Sequence, residues 1–114
     1  MDRFKFRVWD SSANAYVTRS QFILLSDGTL IQEIGGEEVI WESTEPEFCT
    51  GLKDKNGMLI YEGDIVTDGV DIFEVVWDYN AWCIQTNNFQ HFLTEGFEVI
   101  GNIHENKDLL KEQD

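Results

Sequence analysis

GLKDKNGMLIYEGDIV, residues 51–66, holds two turn signals and two apolar clusters, and its reading decides whether the middle of the chain is scaffold or catalytic loop. The tetrad Asp54-Lys55-Asn56-Gly57 separates Leu52 from Met58, Leu59 and Ile60, and Gly57 suits the left-handed position of a type I turn with a bulge. Further on, Gly63 relieves strain at a second corner. The Asp64 carboxylate is placed to accept backbone N–H bonds before the strand Ile65-Val66 begins. Both features are turn chemistry, so the stretch reads as scaffold between strands.

Working outward, period-two alternation dominates over helical spacing. Phe4, Phe6 and Val8 alternate with Lys5, Arg7 and Trp9, as a half-buried strand requires. QFILL and LIQEI flank SDGT, where Asp27-Gly28 supplies the positive φ of a hairpin. Gly35-Gly36 breaks the chain before the strand EEVIWE, and residues 42–47, with Pro46, form a loop. In IFEVVWDYNAWCIQT a two-residue Tyr79-Asn80 loop pairs Trp77 with Trp82 and Val75 with Ile84. That register places Phe73, Val75, Trp77, Trp82 and Ile84 on one apolar face and Glu74, Val76, Cys83 and Gln85 on the other. FEVIGNI is the last strand, where Gly101 marks a bulge or a close backbone contact. Asn106 is expected to cap a short helix KDLLKEQ, with Leu109 and Leu110 as its docking residues. A faint echo links Val8-Trp9-Asp10 and Asn14-Ala15-Tyr16 to Val76-Trp77-Asp78 and Asn80-Ala81-Trp82. Convergence of aromatic, β-branched hairpins is favoured over duplication.

At 114 residues the chain fits one domain, and 42% apolar content with 13% aromatics is enough to fold a core. Cys49 and Cys83 lack C-x-x-C spacing and read as small buried hydrophobes of a reducing compartment. No apolar run suits a membrane span or a secretory signal, so a cytoplasmic protein is expected. The net charge of −14 is unevenly spread: between residues 20 and 48 there are seven acids and no base, and between 62 and 105 nine acids and no Lys or Arg. Such a surface repels nucleic acid and anionic membrane, which excludes direct binding to either.

Three stretches together resemble the YopX family of phage and prophage proteins: KFRVWD, TGLKDKNGMLIYEGDIV and EVIGNIHENKDLL, spanning Lys5 to Leu110 with a variable middle. Departures are local: Met58-Leu59 is apolar where charge is usual, Cys49 precedes TGL, and Lys107 stands where proline is frequent. The resemblance implies a single, mainly β domain over residues 1–114. Within it an N-terminal β portion (1–48) precedes an SH3-like barrel (49–105) and a terminal helix (106–114). It implies no established catalytic activity, no cofactor, and plausible oligomeric assembly.

The chemistry that residue types alone suggest is sparse. Glu62 and Asp64 share a face of an extended segment as paired carboxylates would, yet among 22 acids such pairs arise by accident and the turn role for Asp64 is favoured. His91 and His104 lie thirteen positions apart without a metal-ligand pattern, and Gly35-Gly36 is no phosphate loop. Trp9, Tyr79 and Trp82 are candidates for an aromatic recognition surface; core packing is favoured for Trp82, whereas Trp9 shares its face with Lys5 and Arg7 and reads as an interface anchor. The reading is a non-enzymatic phage accessory protein acting through protein contacts, as a homo-oligomer or with an unidentified host or phage protein. Self-assembly is expected through Lys5, Arg7, Trp9, Leu109 and Leu110. The alternatives are an acidic inhibitor imitating DNA through Glu33, Glu37, Glu38, Glu42, Glu45 and Glu47, and an unrecognised hydrolase.

Overall fold

Short strands joined by glycine and Asx turns build the chain, and the computed structural model describes residues 2–18 and 21–111. They divide into two compact units: Phe6–Glu47, and a second formed by the first five residues together with everything from Phe48 onward.

The unit Phe6–Glu47 begins with β1 (Phe6–Arg7) and β2 (Trp9–Asp10), and β2 pairs antiparallel with β3 (Ala15–Tyr16) in the register Trp9–Tyr16 and Asp10–Ala15. The single strand expected from Phe4 to Trp9 is therefore broken. Phe4 ends a 3-10 turn, Asp2–Phe4, closed by Lys5 N–H donating to the Asp2 carbonyl at 3.0 Å, and its ring is exposed rather than buried with Val8. Next, β4 (Gln21–Leu24), β5 (Leu30–Ile34) and β6 (Glu37–Ile40) form a three-stranded antiparallel sheet. The Asp27 carboxylate accepts Thr29 N–H at 2.9 Å and Gly28 takes φ +91°, a value that L side chains avoid. Trp41 donates its indole N–H to Gln32 at 2.9 Å, which satisfies a buried amide.

In the second unit β7 (Glu47–Lys53) turns through Asp54–Gly57 into β8 (Leu59–Tyr61), with Gly57 at φ +84°. Gly63 (φ +86°) makes the next corner, and Asp64 accepts Tyr61 N–H at 2.7 Å as β9 (Asp64–Thr67) begins. β10 (Ile72–Asp78), β11 (Ala81–Gln85), β12 (Gln90–Phe92) and β13 (Glu98–Asn102) complete an antiparallel sheet in the order β12-β11-β10-β9-β13. The β10–β11 register is the expected one, Val75 opposite Ile84 and Trp77 opposite Trp82. The echo extends to structure, since Trp9–Tyr16 with Asp10–Ala15 repeats as Trp77–Trp82 with Asp78–Ala81 around a shorter loop. The mainly β architecture holds. The described ladders of this sheet end at β12 and β13, however, so strand pairing does not close the barrel that the resemblance implies.

One sheet face buries Ile60, Val66, Phe73, Val75, Ile84, Leu93 and Phe97, with Phe73 and Phe97 edge-to-face at 5.9 Å. Trp82 packs beside this cluster, but Trp77 is 52% exposed, so the apolar face expected to be continuous ends at the hairpin tip. Ile65 and Cys83, in register with polar Glu74 and outward Phe92, are nonetheless buried on the opposite face. There α1 (Asp108–Lys111) packs on β10, and Leu110 lines a small hollow with Ile72 and Glu74. Asn106 does not cap this helix: its Oδ1 accepts Asn102 N–H at 3.2 Å, serving the end of β13. The expected continuation of the helix through residues 112 and 113 lies outside the described residues.

The hairpin tip gives a first prediction. Tyr79 (φ +50°) and Asn80 (φ +58°) both occupy the left-handed region, the geometry of a type I′ turn, which disfavours the tyrosine. Tyr79→Asn is expected to stabilise the protein by about 0.5–1 kcal/mol, read as a higher urea midpoint with unchanged m.

Candidate interaction surface

The side chains expected at an interface are mostly engaged within the molecule. In the unit Phe6–Glu47, Val17 N–H donates to the Val8 carbonyl at 2.9 Å, which extends the β2–β3 hairpin and sets Tyr16 beside β1. Arg7 Nε donates to Glu47 Oε1 at 2.8 Å, the Tyr16 hydroxyl donates to the same oxygen at 2.8 Å, and the Arg7 guanidinium lies over the Tyr16 ring at 4.4 Å. Trp9 meets Tyr16 edge-to-face at 5.0 Å. The structure thus brings Trp9 and Arg7 together on one face, as their alternation implies, and adds Tyr16 between them, which residue spacing alone did not reveal. Arg7 serves a half-buried ion pair in this cluster, and Trp9 is half-buried.

Removing one partner of such a pair strands the other charge. Arg7→Leu is expected to cost about 2 kcal/mol, and Tyr16→Phe about 1 kcal/mol, with sub-additive effects in the double variant because both donors share one oxygen. Thermal unfolding of the three variants checks this.

Lys5 belongs to the other unit, where its ammonium meets Asp2 at 3.2 Å in an exposed pair. Its carbonyl accepts Cys49 N–H at 2.9 Å. Leu109 and Leu110 are half-buried in that unit, so the short helix docks on its own sheet.

The central motif places Asp54 and Asp64 in backbone service. Asp64 is 2% exposed and takes Tyr61 N–H; Glu62 N–H donates to the Phe48 carbonyl. Asp54, read from sequence only as a turn residue, does more. It is 6% exposed; Oδ1 accepts Asn56 N–H (2.8 Å) and Met58 N–H (2.9 Å), and Oδ2 accepts Val99 N–H (2.9 Å). Burial pushes its carboxyl up, but the bonds from Val99, Met58 and Asn56, helped by the Lys55 charge, outweigh this and hold it below the usual range. Turn hydrogen bonds lower the carboxyls of Asp10, through the Ser12 hydroxyl, and Asp68, through Asp71 N–H. His91 and His104 are both exposed, and among the described residues no group of three or more His, Cys, Asp or Glu side chains is placed to hold a metal ion.

Exposed aromatic side chains of the second unit's sheet fall in two places. Trp77 and Tyr79 (84% exposed) flank the β10–β11 tip, whereas Phe89, 5.9 Å from Phe73 at the other end of β10, joins His91 and Phe92 (61% exposed) along the outer edge of β12. Tyr79, Cys83, Gln90, His91 and Phe92 border an open hollow of about 390 Å³. Periodicity could not locate the exposed tip, because Trp77 follows the same alternation as buried Val75. In the other unit, Ile23, Ile31 and Ile40 stand in one cross-strand row, beside the opposed carboxylates of Glu33 and Glu38.

The family model described as YopX protein matches residues 5–111. The fold is similar to the crystal structure of protein yopX from Bacillus subtilis, at 22% identity over 96% of this chain and 99% of that one, with a TM-score of 0.65. It is also similar to the crystal structure of protein EF1440 from Enterococcus faecalis, at 26% identity over 93% and 96% of the two chains, with a TM-score of 0.62. No curated protein sequence matches. No helix among the described residues is long and apolar enough to cross a membrane.

Proposed function

The chain belongs to the YopX family, and from that premise we propose that it is a non-enzymatic phage or prophage accessory protein of the host cytoplasm that works through protein–protein contacts as a homo-oligomer. The observation that supports this reading is the outer edge of the five-stranded sheet, where the exposed rings of Phe89, His91 and Phe92 adjoin one another. Contiguous exposed apolar surface of this kind marks a protein-contact site. The Asp54 and Asp64 carboxylates of the central motif are spent on backbone N–H groups, and a carboxylate so engaged is a poor proton donor or nucleophile. Size-exclusion chromatography with light scattering at micromolar concentration is expected to give a multiple of the 13.2 kDa chain mass. A strictly monomeric species would contradict self-assembly.

A second reading, an acidic competitor of DNA, has one observation in its favour: Glu33 and Glu38 oppose each other across β5 and β6 in a segment without Lys or Arg. Opposed like charges destabilise a strand pair, and a cationic partner would relieve that repulsion. Binding to a DNA-binding protein that weakens steeply between low and high salt, and that Glu33→Gln/Glu38→Gln reduces, is its test.

A further inference from the structure

The homo-oligomer reading leaves open which surface meets which. Folded proteins blunt the edge strands of a sheet with charge, proline, bulges or a covering element, because an open ladder invites another chain. The two edges of the five-stranded sheet are treated differently. β13 carries Glu98, and its register shifts between Val99 and Gly101, so its outer edge is both charged and bulged. β12 has neither device: it is a regular Gln90-His91-Phe92 strand, exposed along its whole length.

The sequence around β12 is as unusual as its geometry. Residues 79–94 contain no Asp, Glu, Lys or Arg in a chain of net charge −14. Two copies of so acidic a molecule repel across most apposed surfaces. The edges of the three-stranded sheet illustrate this, since β6 carries Glu37 and Glu38, and Gln21 of β4 stands directly beside Glu33. At β12 a copy can approach its twin without facing carboxylates together, and Phe92 with Phe89 supplies apolar surface there.

Hydrogen bonding fixes the register of such a contact. Leu93 N–H donates to the Trp82 carbonyl at 2.9 Å and Thr86 N–H to the Phe89 carbonyl at 2.8 Å. By the alternation of antiparallel pairs, Gln90 and Phe92 turn their own N–H and C=O groups away from β11. The Phe92 carbonyl lies 3.2 Å from His91 Nδ1, a local contact that an incoming N–H would replace.

We infer that a second copy of this chain docks its β12 antiparallel on β12, about a two-fold axis through His91, joining the two sheets into one. This rests on the homo-oligomer reading and names its interface. Gln90 of each copy then lies opposite Phe92 of the other, exchanging main-chain bonds, and the two His91 residues face each other in a non-hydrogen-bonded pair with Cα atoms about 4.5 Å apart. The contact is isologous, so it closes at a dimer.

Two variants test it. His91→Cys is expected to form a dimer-linking disulfide on air oxidation, because about 4.5 Å lies within the disulfide range of about 4.4–6.8 Å; an exposed control, Glu95→Cys, should not, and the native Cys49 and Cys83 are buried. Phe92→Asp, at an exposed position, is expected to raise the dimer dissociation constant at least tenfold by light scattering, and added salt should partly restore association. If the wild type oligomerises but Phe92→Asp does not weaken it and His91→Cys does not cross-link, the interface lies elsewhere; the inference falls and the homo-oligomer reading stands. A wild type that stays monomeric overturns both. Should Phe92→Asp not fold, the cysteine result alone decides.

Discussion

Replacing Asp54 with alanine is expected to lower the free energy of unfolding by about 3 kcal/mol, a large fraction of the stability of a domain this size. One carboxylate holds the Asp54–Gly57 turn through Asn56 and Met58 and, with its other oxygen, the Val99 N–H of β13. Alanine removes every acceptor at once. Asp54→Asn keeps a single acceptor oxygen and turns an amide N–H toward a backbone donor, so about 2 kcal/mol is expected to be lost. The charge gives the effect a pH signature. The folded-state pKa of Asp54 is depressed below the ordinary 3.8, so its contribution is fully present above the unfolded value and is lost as pH falls through the folded one. Urea unfolding between pH 7 and pH 2.5 should show wild type losing more stability on acidification than Asp54→Asn. Equal losses would mean that the carboxylate's charge contributes nothing.

Gly101→Ala is expected to cost about 2–3 kcal/mol, although an Ala side chain is the smallest that can be added. A Cβ at this position would stand 2.4 Å from Asn106 Oδ1 and 2.8 Å from Asn106 Cβ, so the residue must move as a whole. Its movement also breaks the Asn102 N–H bond that terminates β13. In an Asn106→Gly background the same substitution meets no side chain, and its cost should fall below about 1 kcal/mol. A double-mutant cycle by thermal unfolding measures the coupling, and strict additivity would refute the clash.

How far the sequence could be read depends on the range of each determinant. The β10–β11 register was legible because a two-residue turn fixes it and cross-strand aromatics agree with it, all within fourteen positions, 72–85. Gly57, Gly63 and the bulge at Gly101 were legible for the same reason: each states a backbone requirement at its own position. Partnerships across the chain were not. The bond from Val99 to Asp54 spans 45 residues, and Glu47 joins Arg7 and Tyr16 from 40 and 31 residues away, separations that no periodicity encodes. Two local expectations failed through competition. Asn106 has capping chemistry, but the β13 bulge brings the Asn102 N–H within reach of its side chain first. Phe4 continues the apolar alternation, yet the Asp2–Lys5 bond curls the chain before the strand starts. Of the expected interface residues, Trp9 and Arg7 do share a face, but Leu109 and Leu110 dock on their own sheet, while the uncharged strand at 90–92 carried no local signal beyond a missing charge.

The chain leaves one unit at Lys5 and re-enters it at Phe48, and Lys5 and Cys49 are joined by a main-chain bond of 2.9 Å. The forty-two residues from Phe6 to Glu47 are thus a detour that starts and finishes at neighbouring points on the same ladder. Lengthening the loops of such a detour leaves its ends where they are, and each doubling of its length adds only about 0.6 kcal/mol of closure entropy. A change of length in the loops between Asp10 and Glu47 is therefore expected to leave the turn motif from Gly51 to Val66 in place.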